Sequence, residues 1–329
     1  MKKVILYVVV ALVVLIAGAI GSLFLFFPAV GPSPELTVEV TPERVKRGEY
    51  LANSVSVCMD CHSTRDWTKF SGPLEPGSLG KGGEAFTKAM GFPGDYYAPN
   101  ITPAGIGEWS DGDIYRALTA GVKKDGEPIF PVMPFHAYGK MDQEDIYSII
   151  AYLRTLPSIE NKVPASSSDF PFNLILRTLP AEGTPSPLPP ATDTLAMGEY
   201  LFNAAACTDC HTPVDDKGAP LPGMYLAGGR AFPMPSGTVR SANLTSDKKT
   251  GIGTWTASQF VSRFKAYADS SYQPHTVAEG QFQTVMPWVM YASMTEADLT
   301  AMFRFLQTVP PVSQSVTRFD PVGQQTAGQ

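Results

Sequence analysis

Apolar and polar positions divide the chain sharply. Val4 to Phe27 is an uncharged apolar run of 24 residues. As a helix rising about 1.5 Å per residue, such a run covers a hydrocarbon core about 30 Å thick. A cleaved signal peptide competes with this reading, but its apolar region runs only about 7 to 15 residues, and Ala29-Val30-Gly31 before Pro32 makes a poor cleavage site. The pattern predicts a membrane anchor over 1–30. Lys2 and Lys3 on its short side keep the N-terminus in the cytoplasm, with everything after Phe27 outside.

Beyond the anchor the apolar residues recur at helical spacing. Ile146, Ile149, Ile150 and Leu153 mark one face of a helix over 142–156, and Leu299, Met302, Phe303 and Leu306 mark another over 295–309. Segments 47–58 and 197–207 are further helix candidates. Stretches 71–107 and 213–253 are rich in Gly and Pro and show no sustained period of two. The fold class expected is mainly α with much loop.

Set against itself, the chain repeats. "RGEYL" at 47 answers "MGEYL" at 197, "GGEAF" at 82 answers "GGRAF" at 228, and "PNIT" at 99 answers "ANLT" at 242. "GIGEWS" at 105 answers "GIGTWT" at 251, and "VMPF" at 132 answers "VMPW" at 285. The expected organisation is an anchor (1–30), a tether (31–43), a first domain (44–157), a linker (158–190), a second domain (191–311) and a polar tail (312–329) that frays. The linker holds seven prolines and the stretch "FPFNLILR", expected to pack on a domain surface.

The 329 residues suit two domains. A net charge of −6 without a basic block leaves no electrostatic footprint for nucleic acid. Thirty Pro and 29 Gly imply that such loop-rich units need something besides apolar side chains at their centre.

The four cysteines supply it. They fall in "CMDCH" at 58 and "CTDCH" at 207, at matching places in the repeat. A redox disulfide of the thioredoxin kind belongs at a helix start after a strand in a βαβ pattern, which is missing here. Structural zinc needs four ligands, and each unit offers two thiolates. C-x-x-C-H is also the attachment site of c-type haem. Cys58 and Cys61, or Cys207 and Cys210, form thioethers from one face of a helical turn, while His62 or His211 binds the iron from one side. A covalently held apolar disc then serves as the core of each unit. Two covalently bound haem c groups are expected, assembled outside the cytoplasmic membrane.

For the opposite face of the iron, His136 and His275 have no histidine at the matching place; Val289 answers His136. Two methionine pairs do match. Met141 and Met294 precede helix N-termini, where a hydrophobe staples onto the fourth helical residue. Met133 and Met286 precede prolines that keep the segment extended and out of helix, which suits an axial thioether on a stiff loop. Filling pocket volume is the other role open to that pair. Asn100 and Asn243, and Trp109 and Trp255, are candidates for orienting the methionine loop or meeting haem propionates, or for plain turn and core roles. Tyr50 and Tyr200 are expected to pack each first helix onto the last.

The succession C-x-x-C-H, "GGEAF", "PNIT", "GIGEWSDGDIYRALTAGV", "DGEPIFPVMPFHAYGKM" and a final helix resembles the membrane-bound cytochrome c subunits of bacterial alcohol and gluconate dehydrogenases. The resemblance covers nearly all of 44–311 and implies axial ligation by the methionine of the M-P dipeptide, here Met133 and Met286. Those subunits carry three haem units and a membrane segment near the C-terminus, where this chain shows two units and an N-terminal anchor.

The reading is an electron carrier of the bacterial inner membrane, with its haem domains on the periplasmic side, and not an enzyme in itself. Its expected donor is a quinol-oxidising respiratory complex or a dehydrogenase, and its acceptor a terminal oxidase or a soluble cytochrome. The rival is a dihaem peroxidase or thiosulfate-oxidising cytochrome, for which His275 is the candidate distal ligand.

Overall fold

The computed structural model describes residues 1–269 and 271–323. Helix α1 (Lys2–Phe26) is the apolar run, long and apolar enough to cross a membrane, and no part of it is buried by the rest of the chain. A first half follows with α2 (Pro42–Tyr50), a π-helical turn at Leu51–Val55, α3 (Cys58–Cys61), β1 (Ala85–Phe86), β2 (Gly94–Tyr97), α4 (Pro103–Ile106), α5 (Asp111–Ala120), α6 (Phe135–Tyr138) and α7 (Gln143–Thr155). β3 (Ser167–Ser168) and α8 (Phe172–Leu176) come next. The second half runs α9 (Thr194–Ala204), α10 (Cys207–His211), β4 (Ala231–Met234), β5 (Gly237–Arg240), α11 (Ala257–Lys265), α12 (Trp288–Tyr291), α13 (Glu296–Leu306) and β6 (Phe319–Pro321). Thirteen α-helices thus occur among the described residues.

Local chemistry sets the helix ends. Thr41 caps α2 by accepting from Arg44 N, with Pro42 in the first turn, where its missing N–H costs nothing. Ser110 with Asp113, and Thr256 with Gln259, close capping boxes on α5 and α11. Asp142 accepts from Glu144 N at the head of α7, while Met141 before it and Ile146 after it are both buried. Met294, Thr295 and Leu299 repeat that staple on α13.

The core of each half is a close helix crossing, α2 on α7 and α9 on α13. The glycine of each "GEYL" permits it. A Cβ on Gly48 would lie 1.8 Å from the Ser148 carbonyl oxygen, and one on Gly198 would lie 2.0 Å from that of Ala301. Ile146, Ile149, Ile150 and Leu153, or Leu299, Met302, Phe303 and Leu306, fill the space behind. Each such side chain, once buried, contributes about 1.5–3 kcal/mol.

Two features depart from expectation. The helices over 47–58 and 197–207 do not run unbroken into the cysteines, because Val57 (φ 42°) and Ala206 (φ 49°) turn left-handed first. The Gly-rich stretches also hold hairpins too short to show a period of two, β1–β2 and β4–β5. The linker adds β3 to the first hairpin, pairing Gly94 with Ser168, and the tail adds β6 to the second, pairing Gly237 with Pro321. The tail expected to fray is therefore ordered into β6; residues 324–329 lie outside the described residues.

The segment 31–43 lies along the first half. Ser33 Oγ donates to Asp113 at 2.6 Å, Val38 N donates to Asp111 at 2.8 Å, and the Val38 side chain is buried. "FPFNLILR" packs as expected, with Phe172 edge-on to Phe130, and Arg177 donates to the Phe27 carbonyl oxygen at 2.9 Å where α1 ends. Tyr50 and Tyr200 do reach last helices, but each meets that of the other half.

Candidate haem-attachment sites

Each cysteine pair occupies a single helical turn, Cys58 and Cys61 on α3, Cys207 and Cys210 on α10, so both thiols of a pair share a face. The left-handed residue before each turn redirects the chain so that the turn begins afresh at the first cysteine. All four thiols are free; three are half-buried, and Cys210 is exposed at its surface. The protein around them still desolvates every one. Desolvation pushes Cys58 up to about 12 and Cys210 up to about 11, and raises Cys61 and Cys207 as well. Redox-active C-x-x-C pairs need the opposite, a thiolate stabilised near neutrality. Among the described residues no group of three or more His, Cys, Asp or Glu is gathered to hold a metal ion. A metal carried inside a macrocycle fits these donors; a protein cage for zinc does not.

The two histidines are held alike. His62 Nδ1 lies 2.8 Å from the Pro99 carbonyl oxygen, and His211 Nδ1 lies 2.8 Å from that of Ala242. A carbonyl only accepts, so Nδ1 carries the proton and Nε2 is left as a lone-pair donor. Burial lowers the His62 imidazole below its ordinary value and takes His211 down to about 4, with Arg318 adding to the effect at His211. Both rings are neutral at pH 7, the form that ligates iron.

Those carbonyls are placed by glycine. Gly82 N donates to the His62 carbonyl oxygen at 2.9 Å, and Gly228 N to that of His211 at 2.8 Å. Their φ values are +73° and +74°, and a Cβ on either would lie 2.5 Å or 2.4 Å from the carbonyl carbon of Pro99 or Ala242. The repeated "GG" signals the requirement in the sequence, but only the fold shows what approaches it.

Met133 and Met286 are partly buried, on turns that lead into α6 and α12. Met141 and Met294 lie in the core; Ser56 Oγ is 3.9 Å from Met141 Sδ. Asn100 and Asn243 serve turns. Each side-chain oxygen accepts from the backbone and hydroxyl of Thr102 or Thr245, and each Nδ2 donates at 2.8 Å to the chain after the last helix, at Ile159 or Val312. Trp109 packs on the core and its carbonyl oxygen accepts from Arg154, whereas Trp255 is exposed. His136 Nε2 sits 3.1 Å from Asp209, between the second pair of cysteines. His275 is exposed, and its ring stacks on Phe70 at 5.1 Å.

No family model matches the chain. It is 29% identical over 95% of its length to the cytochrome c subunit of a quinone-dependent alcohol dehydrogenase from Gluconobacter oxydans, and 30% identical over 84% to the cytochrome c subunit of gluconate 2-dehydrogenase from Pantoea cypripedii. It spans only 63% and 62% of those two subunits. A diheme c-type cytochrome from Cereibacter sphaeroides is 30% identical over 91% of this chain and 96% of its own length. With C-x-x-C-H turns, neutral thiols and carbonyl-held imidazoles in both halves, and a full-length relative of that kind, the chain belongs to the dihaem c-type cytochromes.

Proposed function

We propose that this chain is a membrane-anchored dihaem cytochrome c that carries single electrons in a respiratory chain. It would take them from a dehydrogenase or quinol-oxidising complex and deliver them towards a terminal oxidase or soluble cytochrome. The alcohol and gluconate dehydrogenase subunits among its relatives favour a dehydrogenase partner. α1 anchors it, with Lys2 and Lys3 on the cytoplasmic side and residues 44–157 and 191–311 forming two cytochrome c domains outside.

Haem c, when bound, supplies a one-electron iron couple. Cys58 and Cys61, and Cys207 and Cys210, would hold it covalently. His62 and His211 would hold its iron through Nε2, their rings fixed by the carbonyls of Pro99 and Ala242. Met133 and Met286 would supply thioether sulfur to the same iron, on turns stiffened by Pro134 and Pro287; Met141 and Met294 lie in the core. A thioether donor favours the reduced metal and suits the high-potential end of a chain. With imidazole and thioether both engaged, neither site would keep a position for a substrate, and the chain would transfer electrons for a partner enzyme.

The observation that carries this reading is the pair of 2.8 Å imidazole–carbonyl contacts, repeated at the two C-x-x-C-H turns. Purification in mild detergent tests it. The expected result is a low-spin spectrum reduced by quinol or by a co-purifying dehydrogenase. A high-spin site with peroxide turnover would overturn it in favour of a peroxidase.

A further inference from the structure

The first half carries a hairpin that its counterpart lacks the length to match. Its closing bridge joins Arg65 to Leu74, against Val214 to Pro220 in the second half. Arg65, buried, holds the hairpin to the first attachment turn. Nη1 donates to Asp60 at 2.7 Å, Nη2 to the Ser71 carbonyl oxygen at 2.8 Å, and Nε to that of Gly72 at 2.9 Å, while the guanidinium lies 4.0 Å over the Trp67 ring.

The tip of this hairpin is inserted into the second half. Phe70 N donates to the His275 carbonyl oxygen at 2.9 Å, and Val277 N to that of Thr68 at 2.8 Å. Gln283, 2% exposed, accepts from Ser71 N at 2.9 Å and donates to the Lys69 carbonyl oxygen at 2.9 Å. Ser71 itself stands at φ 63°, a left-handed conformation unusual for serine. From there its Oγ donates to the Met286 carbonyl oxygen at 2.6 Å and lies 3.2 Å from Trp288 N, which donates to it. Met286 also has bonds within its own half, its N–H donating to Thr284 Oγ1 at 3.0 Å and its carbonyl oxygen accepting from Trp288 N at 2.8 Å; Met133 has the matching pair, to the Phe130 carbonyl oxygen and from Phe135 N, and Ser71 is the addition from the other half.

We propose that Ser71 is a positioning residue for Met286, so that a hydroxyl of the first half sets where the second half's thioether stands. The inference rests on the reading of Met286 as an axial ligand. Asp60, Arg65 and Ser71 then form a continuous hydrogen-bonded route from the first attachment turn to the sixth ligand of the second site. Strain at Ser71 has a purpose on this account, since that conformation puts N–H on Gln283 and Oγ on Met286 together.

The test uses the full-length, detergent-solubilised protein carrying both haems, with Ser71→Gly. Glycine adopts φ 63° freely, so the hydroxyl is removed without added strain. Imidazole is titrated against the oxidised protein and the two potentials are measured, with Met133→Ala and Met286→Ala assigning each signal to its site. Imidazole should displace the second-site thioether about three- to tenfold more readily, the worth of a hydrogen bond. The second potential should fall, and the first site should keep both values. Equal shifts at both sites, or none at either, would overturn the proposal. If Met286→Ala leaves the second site's potential and imidazole affinity at their parental values, the ligand assignment fails instead, and Ser71 falls with it. Should Ser71→Gly fail to load both haems, Ser71→Ala is read by the same criteria.

Discussion

The Tyr50 hydroxyl donates to the Asp298 carboxylate, 248 positions further along the chain, and accepts from Thr295 N at 3.1 Å. The relationship is reciprocal. Tyr200 Oη donates to Asp145 at 2.6 Å and accepts from Asp142 N at 3.1 Å. Each tyrosine, from the first helix of one half, thus completes the head of the last helix in the other. Burial and the neighbouring carboxylates raise both phenols far above their ordinary range, so they remain donors. These two points join the halves in addition to the inserted hairpin that carries Ser71. Tyr50→Phe and Tyr200→Phe should each cost about 1–2 kcal/mol. In denaturant the parent should lose both haem environments in one transition, and the double variant in two. A parent that already unfolds in two steps would show that the exchange does not couple the halves.

The glycines behind the histidines make a sharper prediction. In Gly82→Ala the new Cβ would collide with the Pro99 carbonyl group, and in Gly228→Ala with that of Ala242. Each substitution should disturb only its own imidazole, giving a high-spin component at one site and leaving the other low-spin. Resonance Raman spectra of the single variants check this. An unchanged spectrum in both would mean that the carbonyl does not orient the ring.

The two methionine pairs should separate cleanly. Met133→Leu and Met286→Leu should each abolish the sulfur-to-iron absorption of one site. Met141→Leu and Met294→Leu, volume-conserving changes in a packed core, should cost under about 1.5 kcal/mol and leave that absorption intact. The visible spectrum and a thermal melt of the four variants suffice.

Much of this was legible in the sequence because the chemistry acts locally. Thioether attachment needs two cysteines on one turn with histidine next, so the motif is contiguous. The helix faces at Ile146 and Leu299 follow a period that any window reveals. That Met141 and Met294 belong to the core, and Met133 and Met286 to turns, can be read from their neighbours alone. The rest depends on pairings distant along the chain. Tyr50 looked like a packing residue of its own half because nothing nearby announces Asp298. The third strands at Ser167 and Phe319 are two or three residues long, too short for alternation to register. Ser71 carries no local signal; its conformation and its hold on Met286 exist only once the halves meet.

The most direct test is the intact mass of the denatured, purified protein, taken with its pyridine haemochrome spectrum. Two added haem masses that survive acid-organic extraction are expected, falling to one in Cys58→Ala/Cys61→Ala and to one in Cys207→Ala/Cys210→Ala. A colourless polypeptide at the mass of the bare chain would contradict the account at its root.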